Sequence, residues 1–265
     1  MSLIAAYIAL GLVAGFVAGL LGVGGGLIIV PVLIALFQAY AIGAGIEPHL
    51  ALGTSLASIL FTSLSSMRAH HRHGAVEWTL VRRIAPGIIG GTLLGAVLAA
   101  RMSPQVLKLF FILFLFYAAT QMWLDFKPRP HRNLPGTAGI TCAGSVIGAV
   151  SSWVGIGGGT LSVPFMLWHN VPLHRAIATS SAIGLPIAIA GACGYAISGW
   201  KLASLPEYSL GFIYLPALEG IVLGSVLTAP LGARTAHRLP VRPLKKIFAI
   251  LLYALAIRMG WYFLF

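Results

Sequence analysis

Apolar runs separated by polar or proline-rich punctuation divide the chain into eight segments, at about residues 3 to 38, 50 to 67, 81 to 100, 105 to 124, 138 to 168, 174 to 198, 209 to 233 and 244 to 265. A helix needs about 20 mostly apolar residues to cross the hydrocarbon of a bilayer, so six of these read as single spans. The first and fifth exceed 30 residues, and glycines interrupt each near its middle. Those two read as broken helices. The interruptions match: Gly22-Val-Gly-Gly-Gly26 precedes Pro31 and Gly155-Ile-Gly-Gly-Gly159 precedes Pro164, both at an offset of 133. The likeness resumes downstream, where His49-Leu-Ala-Leu-Gly-Thr54-Ser55 answers His174-Arg-Ala-Ile-Ala-Thr179-Ser180 at an offset of 125. The chain reads as a duplication within one transmembrane domain, 1-265, with repeat one at 1-124, a cytoplasmic linker at 125-137 and repeat two at 138-265.

Composition supports lipid as the solvent. Hydrophobic residues make up 58% of the chain and charged ones 8%, with mean hydropathy +0.95, whereas a water-soluble chain carries about 25% charged residues. Collagen, disulfide scaffolds and nucleic-acid modules are excluded. Cys142 and Cys193 fall in apolar stretches and read as buried helix residues. The N-terminus lacks a basic region ahead of its apolar run and reads as the first helix, not a signal peptide.

The formal charge is +12, from 17 Lys and Arg against five acidic residues, and the cations test how often the broken segments cross. If all eight segments cross once, the two faces hold nine and eight cations, with no bias. If both broken segments return to their starting side, the split becomes thirteen against four; if only the first returns, it is nine against eight again. Positive charge concentrates on the cytoplasmic side, so both are expected to return. Each half then crosses an odd number of times. The expected fold is all-α polytopic: two inverted repeats, each one Gly-broken helix plus three transmembrane helices, with both termini outside.

A break inside the bilayer leaves backbone groups without partners, at several kcal/mol each if lipid faces them, so it must face protein, water or a ligand. Gly24, Gly25 and Gly26, like Gly157, Gly158 and Gly159, allow tight backbone and close approach. A new helix is expected to start at Leu27 and at Thr160, its free N–H groups and dipole suited to an anion. The competing reading is close helix packing, which is retained for Gly90, Gly91, Gly95, Gly220 and Gly224. Thr54, Ser55, Thr179, Ser180 and Ser181 lie in the helices after the breaks, where hydroxyls donate either to an oxyanion or to their own helix. Ser63, Ser65 and Ser66 read as structural. His49 and His174 are the repeat-matched pair, suited to gating, proton transfer or helix entry. Glu219 is the one carboxylate inside a span and a candidate for coupling. His70, His71 and His73 lack the carboxylate or thiol neighbours a metal site would recruit, and no metal or cofactor is expected.

The segments GLLGVGGGLIIVP and SSWVGIGGGTLSVP, each followed by H-(x)4-T-S, resemble the TauE/SafE family of sulfite and organosulfonate exporters over essentially the whole chain. The resemblance implies a permease of the bacterial cytoplasmic membrane that moves small sulfur-containing anions, with the family's Gly-rich breaks at Gly22 to Gly26 and Gly155 to Gly159. A passive anion channel on the same framework is the alternative. A membrane phosphatase would want intramembrane carboxylates and an arginine at the break, and the chain offers only Glu219. The residues leave the substrate within the class, the coupling and the oligomeric state open.

Overall fold

The computed structural model describes residues 2–124, 134–200, 202, 204–236 and 241–264. Most of the expected linker lies outside these residues, as do Lys127, Arg129, Arg132, Lys201 and Arg238 of the charge count. The elements are α1 (Leu3–Leu21), α2 (Gly26–Ala39), α3 (Glu47–Arg72), α4 (Trp78–Arg101), α5 (Pro104–Leu124), α6 (Thr137–Val154), α7 (Gly159–Trp168), α8 (Leu173–Gly199), a hairpin of β1 (Ser209–Leu210) and β2 (Ile213–Tyr214), α9 (Leu215–Ala236) and α10 (Val241–Leu264). Among the described residues, eight helices are long and apolar enough to span a membrane, namely all except α2 and α7. Five tryptophans, Trp78, Trp123, Trp168, Trp200 and Trp261, sit exposed near helix ends, where amphipathic rings meet the membrane–water boundary. The chain is a multi-pass membrane protein.

Each broken segment folds back on itself. Its first limb has the length of a span, 19 residues in α1 and 18 in α6, and its second is shorter, 14 in α2 and 10 in α7. Gly22 and Gly155 end the first limbs in the left-handed region, with φ of 69° and 68°, a conformation that costs a side-chain-bearing residue. Beyond the turn, Gly25 lies against Ala14, and Gly158 against Ser151 and Ile147. Each second limb therefore runs back along the first. The new helices begin at Gly26 and Gly159, one residue before the expected Leu27 and Thr160.

Small residues set the closest packing. In α1, Gly11, Gly15 and Gly19 press on Ile221, Ser225 and Ala229 of α9; in α4, Gly87, Gly91 and Gly95 press on Thr141, Ser145 and Ala149 of α6. Residue numbers rise together across both seams, so each pair is parallel, and each joins a helix of one half to a helix of the other. Spacing by four residues places such glycines on one helix face. Between the seams, α3 and α8 run antiparallel, with Leu56 against Gly191, Ser63 against Gly184 and Ser66 against Ser181. The α5 and α10 helices pair with each other through contacts such as Phe116 with Tyr253.

Three expectations change. Gly90 faces outward, with nothing near the position of a Cβ, so it takes no part in the α4–α6 seam. Cys142 and Cys193 are exposed, not buried; an apolar neighbourhood in sequence does not separate a protein-facing position from a lipid-facing one. The seventh segment becomes helical only at Leu215, because Gly211, at φ 56°, turns the preceding residues into the β hairpin. Phe212 from that turn is buried against Gly53 and stacks on His49 with ring centroids 5.1 Å apart.

The seams predict opposite outcomes for adjacent glycines. A methyl group at Gly91 would collide with the Ser145 carbonyl, so Gly91→Ala should destabilise the detergent-solubilised protein by about 1–3 kcal/mol. Gly90→Ala should leave the melting temperature unchanged or raise it, since a helical Gly is about 0.5–1 kcal/mol worse than Ala where nothing clashes. Thermal unfolding of the two variants side by side checks this.

Candidate functional site

The two glycine turns meet at the level of Ile59, near the middle of α3, and they meet backbone to backbone. Gly157 N–H donates to Val23 O at 3.3 Å. A Cβ at Gly26 would strike the Gly155 carbonyl, and one at Gly159 would strike the Gly22 carbonyl. The approach of the opposite turn thus requires glycine at Gly24, Gly26 and Gly159, while Gly25 and Gly158 take left-handed φ of 80° and 78° against their own halves.

Around this crossing the paired hydroxyls take matching roles. Ser55 donates to Gly155 O at 2.7 Å and Ser180 to Gly22 O at 2.8 Å, each serine holding the turn carbonyl of the other half. Thr54 accepts from Tyr214 N at 2.9 Å, next to the start of α9, and Thr179 accepts from Glu77 N at 3.0 Å, next to the start of α4. The T-S element therefore ties two structures together: its threonine fixes the entry of a later span and its serine the opposing turn. None of these four hydroxyls bonds within its own helix here, one of the two fates expected from sequence. Ser181 bonds its own helix at Ile177 O, 3.2 Å away, and accepts from Ser66 at 3.3 Å.

Two small spaces adjoin the crossing. One, between the turns, is lined by Gly22, Gly24, Gly157, Thr62, Ser66 and Ser181 among others and has about 10 Å³, enough for one water. Thr62, Ser63 and Ser66 reach it although they read as structural or drew no notice in the sequence; the signal was a hydroxyl recurring every third or fourth residue of α3 (Ser55, Ser58, Thr62, Ser66) in an otherwise apolar span.

The other space opens at the start of α7 and has about 50 Å³, room for three or four waters by the same measure. Gly159 and Thr160 line it with Leu21, Val23, Gln121 and Lys245. The Thr160 side chain is 3% exposed, and its hydroxyl has no partner among the described residues. The N–H groups of Gly159 and Thr160 have no backbone acceptor among them either. A helix start with free donors, a buried unpaired hydroxyl and a nearby ammonium are groups of the kind that attract anions. The matched position in the other half is Leu27, fully buried, so among the described residues this combination lacks its hydroxyl in the other half.

The remaining candidates lie apart from the crossing. His49 is buried at the far end of α3, its Nε2 donating to Ala99 O at 3.2 Å; His174 is exposed at the start of α8. Glu219 is exposed in the second turn of α9. No group of three or more metal-ligating side chains occurs among the described residues, and His70 instead reaches Gly19 O at 3.1 Å.

The serine cross-links carry a stability prediction. Ser55→Ala and Ser180→Ala each strand a buried turn carbonyl, so each should cost about 1–3 kcal/mol in anion-free buffer. Unfolding by heat measures it; a loss under about 0.5 kcal/mol in both would mean that the hydroxyls do not hold the turns.

The sequence profile described as "Sulfite exporter TauE/SafE" matches residues 7–259. A "Probable membrane transporter protein" of Haemophilus influenzae is 39% identical over 94% of this chain and 95% of its own length. YunE, a "Probable membrane transporter protein" of Bacillus subtilis, is 29% identical over 92% of this chain and 93% of its own, and a similarly named protein of Methanocaldococcus jannaschii is 25% identical over 92% and 91%. No solved structure matches the chain. With the profile spanning nearly every described helix, the chain belongs to the TauE/SafE family of membrane transporters.

Proposed function

We propose that the protein is a secondary transporter that exports small sulfur-containing oxyanions, of the size of sulfite or a short sulfonate, across the bacterial cytoplasmic membrane. The observation that carries this is the receptor at the start of α7. Free N–H groups, the unpaired Thr160 hydroxyl and Lys245 border a small space of about 50 Å³, which suits one compact anion and excludes a large solute. Anion recognition by helix starts needs no buried arginine.

Alternating access is the mechanism. The halves are inverted copies about an axis in the membrane plane, both termini outside; the antiparallel α3 and α8, the matching Ser55 and Ser180 bonds and the return of both broken segments support this arrangement. The glycine seams tie α1 to α9 and α6 to α4 across the halves, so the halves do not swing apart as blocks. Motion belongs where packing is looser, between the short limbs α2 and α7 and the α5–α10 pair. A carrier is favoured over an open pore because Ile59 and Ile187 pack tightly against the turns, both fully buried.

Thr160→Val separates binding from folding by sign. The valine removes an unpaired buried hydroxyl at equal shape, so the anion-free protein should melt at the same or a higher temperature. Wild-type protein at a hundredfold excess of sulfite over its Kd should gain about 2.7 kcal/mol, and the variant should gain far less at that concentration. In proteoliposomes, saturable sulfite or sulfoacetate flux should fall in parallel. Wild-type protein that neither binds nor carries these anions would overturn the reading.

A further inference from the structure

The duplication continues into the last helix of each half. Arg101-Met-Ser-Pro-Gln-Val-Leu-Lys108 answers Arg238-Leu-Pro-Val-Arg-Pro-Leu-Lys245 at an offset of 137, which sets Lys108 on Lys245, Gln121 on Arg258 and Met122 on Met259. The structure carries this match into space. The space at α7 has Pro164, Leu167, Gln121, Met122 and Lys245 on its walls. A second cavity, between α2, α5 and α10, has Pro31, Ile34, Arg258, Met259 and Lys108 on its walls. These are the same five positions, seen from opposite ends of the bundle. Their sizes differ: about 50 Å³ at α7 and about 740 Å³ at α2.

We propose that the larger cavity is the outer half of the anion path, with Lys108 and Arg258 as its binding cations, and that the two cavities open alternately, this conformation being the one open to the outside. This deepens the transporter reading and rests on it for the sidedness and the anion. Two further observations support it. Charge inside a span is costly and is kept where it functions, and Arg258 lies within the apolar stretch Pro243–Phe263. The charge count leaves four cations on the outer side, Arg101, Lys108, Lys201 and Arg258, and two of these four line one cavity. Gln38, Gln105 and Tyr262 add polar groups to a wall that is otherwise apolar apart from the two cations, and its net positive charge selects for negative charge. When α2 closes on the α5–α10 pair, the equivalent space beside α7 widens, and Lys245 takes the place of Lys108.

Side-specific kinetics test this. Sulfoacetate counterflow is measured from each face of oriented proteoliposomes for Lys108→Gln, Arg258→Gln, Lys245→Gln and, as an outer-side control away from the cavity, Arg101→Gln. Losing one charge-assisted contact should raise KM about tenfold or more on one face only: the outer face for Lys108→Gln and Arg258→Gln, the inner for Lys245→Gln. Arg101→Gln should change neither. Equal shifts on both faces, or none, would overturn the assignment. A second readout does not depend on transport. In a Cys142→Ser/Cys193→Ser background, a membrane-impermeant thiol reagent added outside should label Ala35→Cys, and sulfoacetate should slow the labelling severalfold. Absence of labelling from outside overturns the open outer cavity even if flux is normal. Labelling slowed by sulfate, in a protein that carries no sulfur anion, keeps the cavity and removes the substrate reading.

Discussion

A peptide group without a hydrogen-bond partner is what hydrocarbon tolerates least, and this protein places two chain reversals in the middle of its bundle. Each reversal satisfies the other. Val23 accepts from Gly157, Ser180 holds Gly22 and Ser55 holds Gly155. Neither turn could stand in the membrane by itself, since the groups that complete it come from the opposite half. Glycine follows from this requirement, because any Cβ at Gly26 or Gly159 would occupy the place of a partner carbonyl.

The same requirement explains where the symmetry ends. Equivalent positions complete the backbone in both halves: Ser55 with Ser180, Thr54 with Thr179, and His70 with Tyr195, whose imidazole and phenol hydroxyl reach Gly19 O and Ser152 O at 3.1 and 3.0 Å. They diverge where a small guest would sit, with Thr160 opposite Leu27 and Arg258 opposite Gln121.

Much of this architecture could be read from the chain. The overlong segments, the matched glycines and the cation count pointed to two reversals, because each is a one-dimensional property of length, spacing or charge. What the hydroxyls do could not be read: whether Ser180 bonds its own helix or Gly22 depends on an element 158 residues away. Exposure of Cys142 and Cys193 was equally hidden, since lipid and protein interior favour the same letters. The Gly11, Gly15, Gly19 stripe was present as a four-residue period, but the overlong run around it drew the reading toward the break. Glu219 stood out by rarity within its span, and rarity does not tell which way a helix face turns.

The glycine seams also govern how the molecule comes into being. Since α1 seats on α9, α1 leaves the ribosome and waits while roughly 200 further residues are made, on the order of 10–40 s at ordinary synthesis rates. During that interval its stripe of bare backbone lies against lipid or against the insertion machinery. This seam therefore closes only once α9 has been made, and a truncation before α9 would leave an unmated helix instead of a smaller working unit.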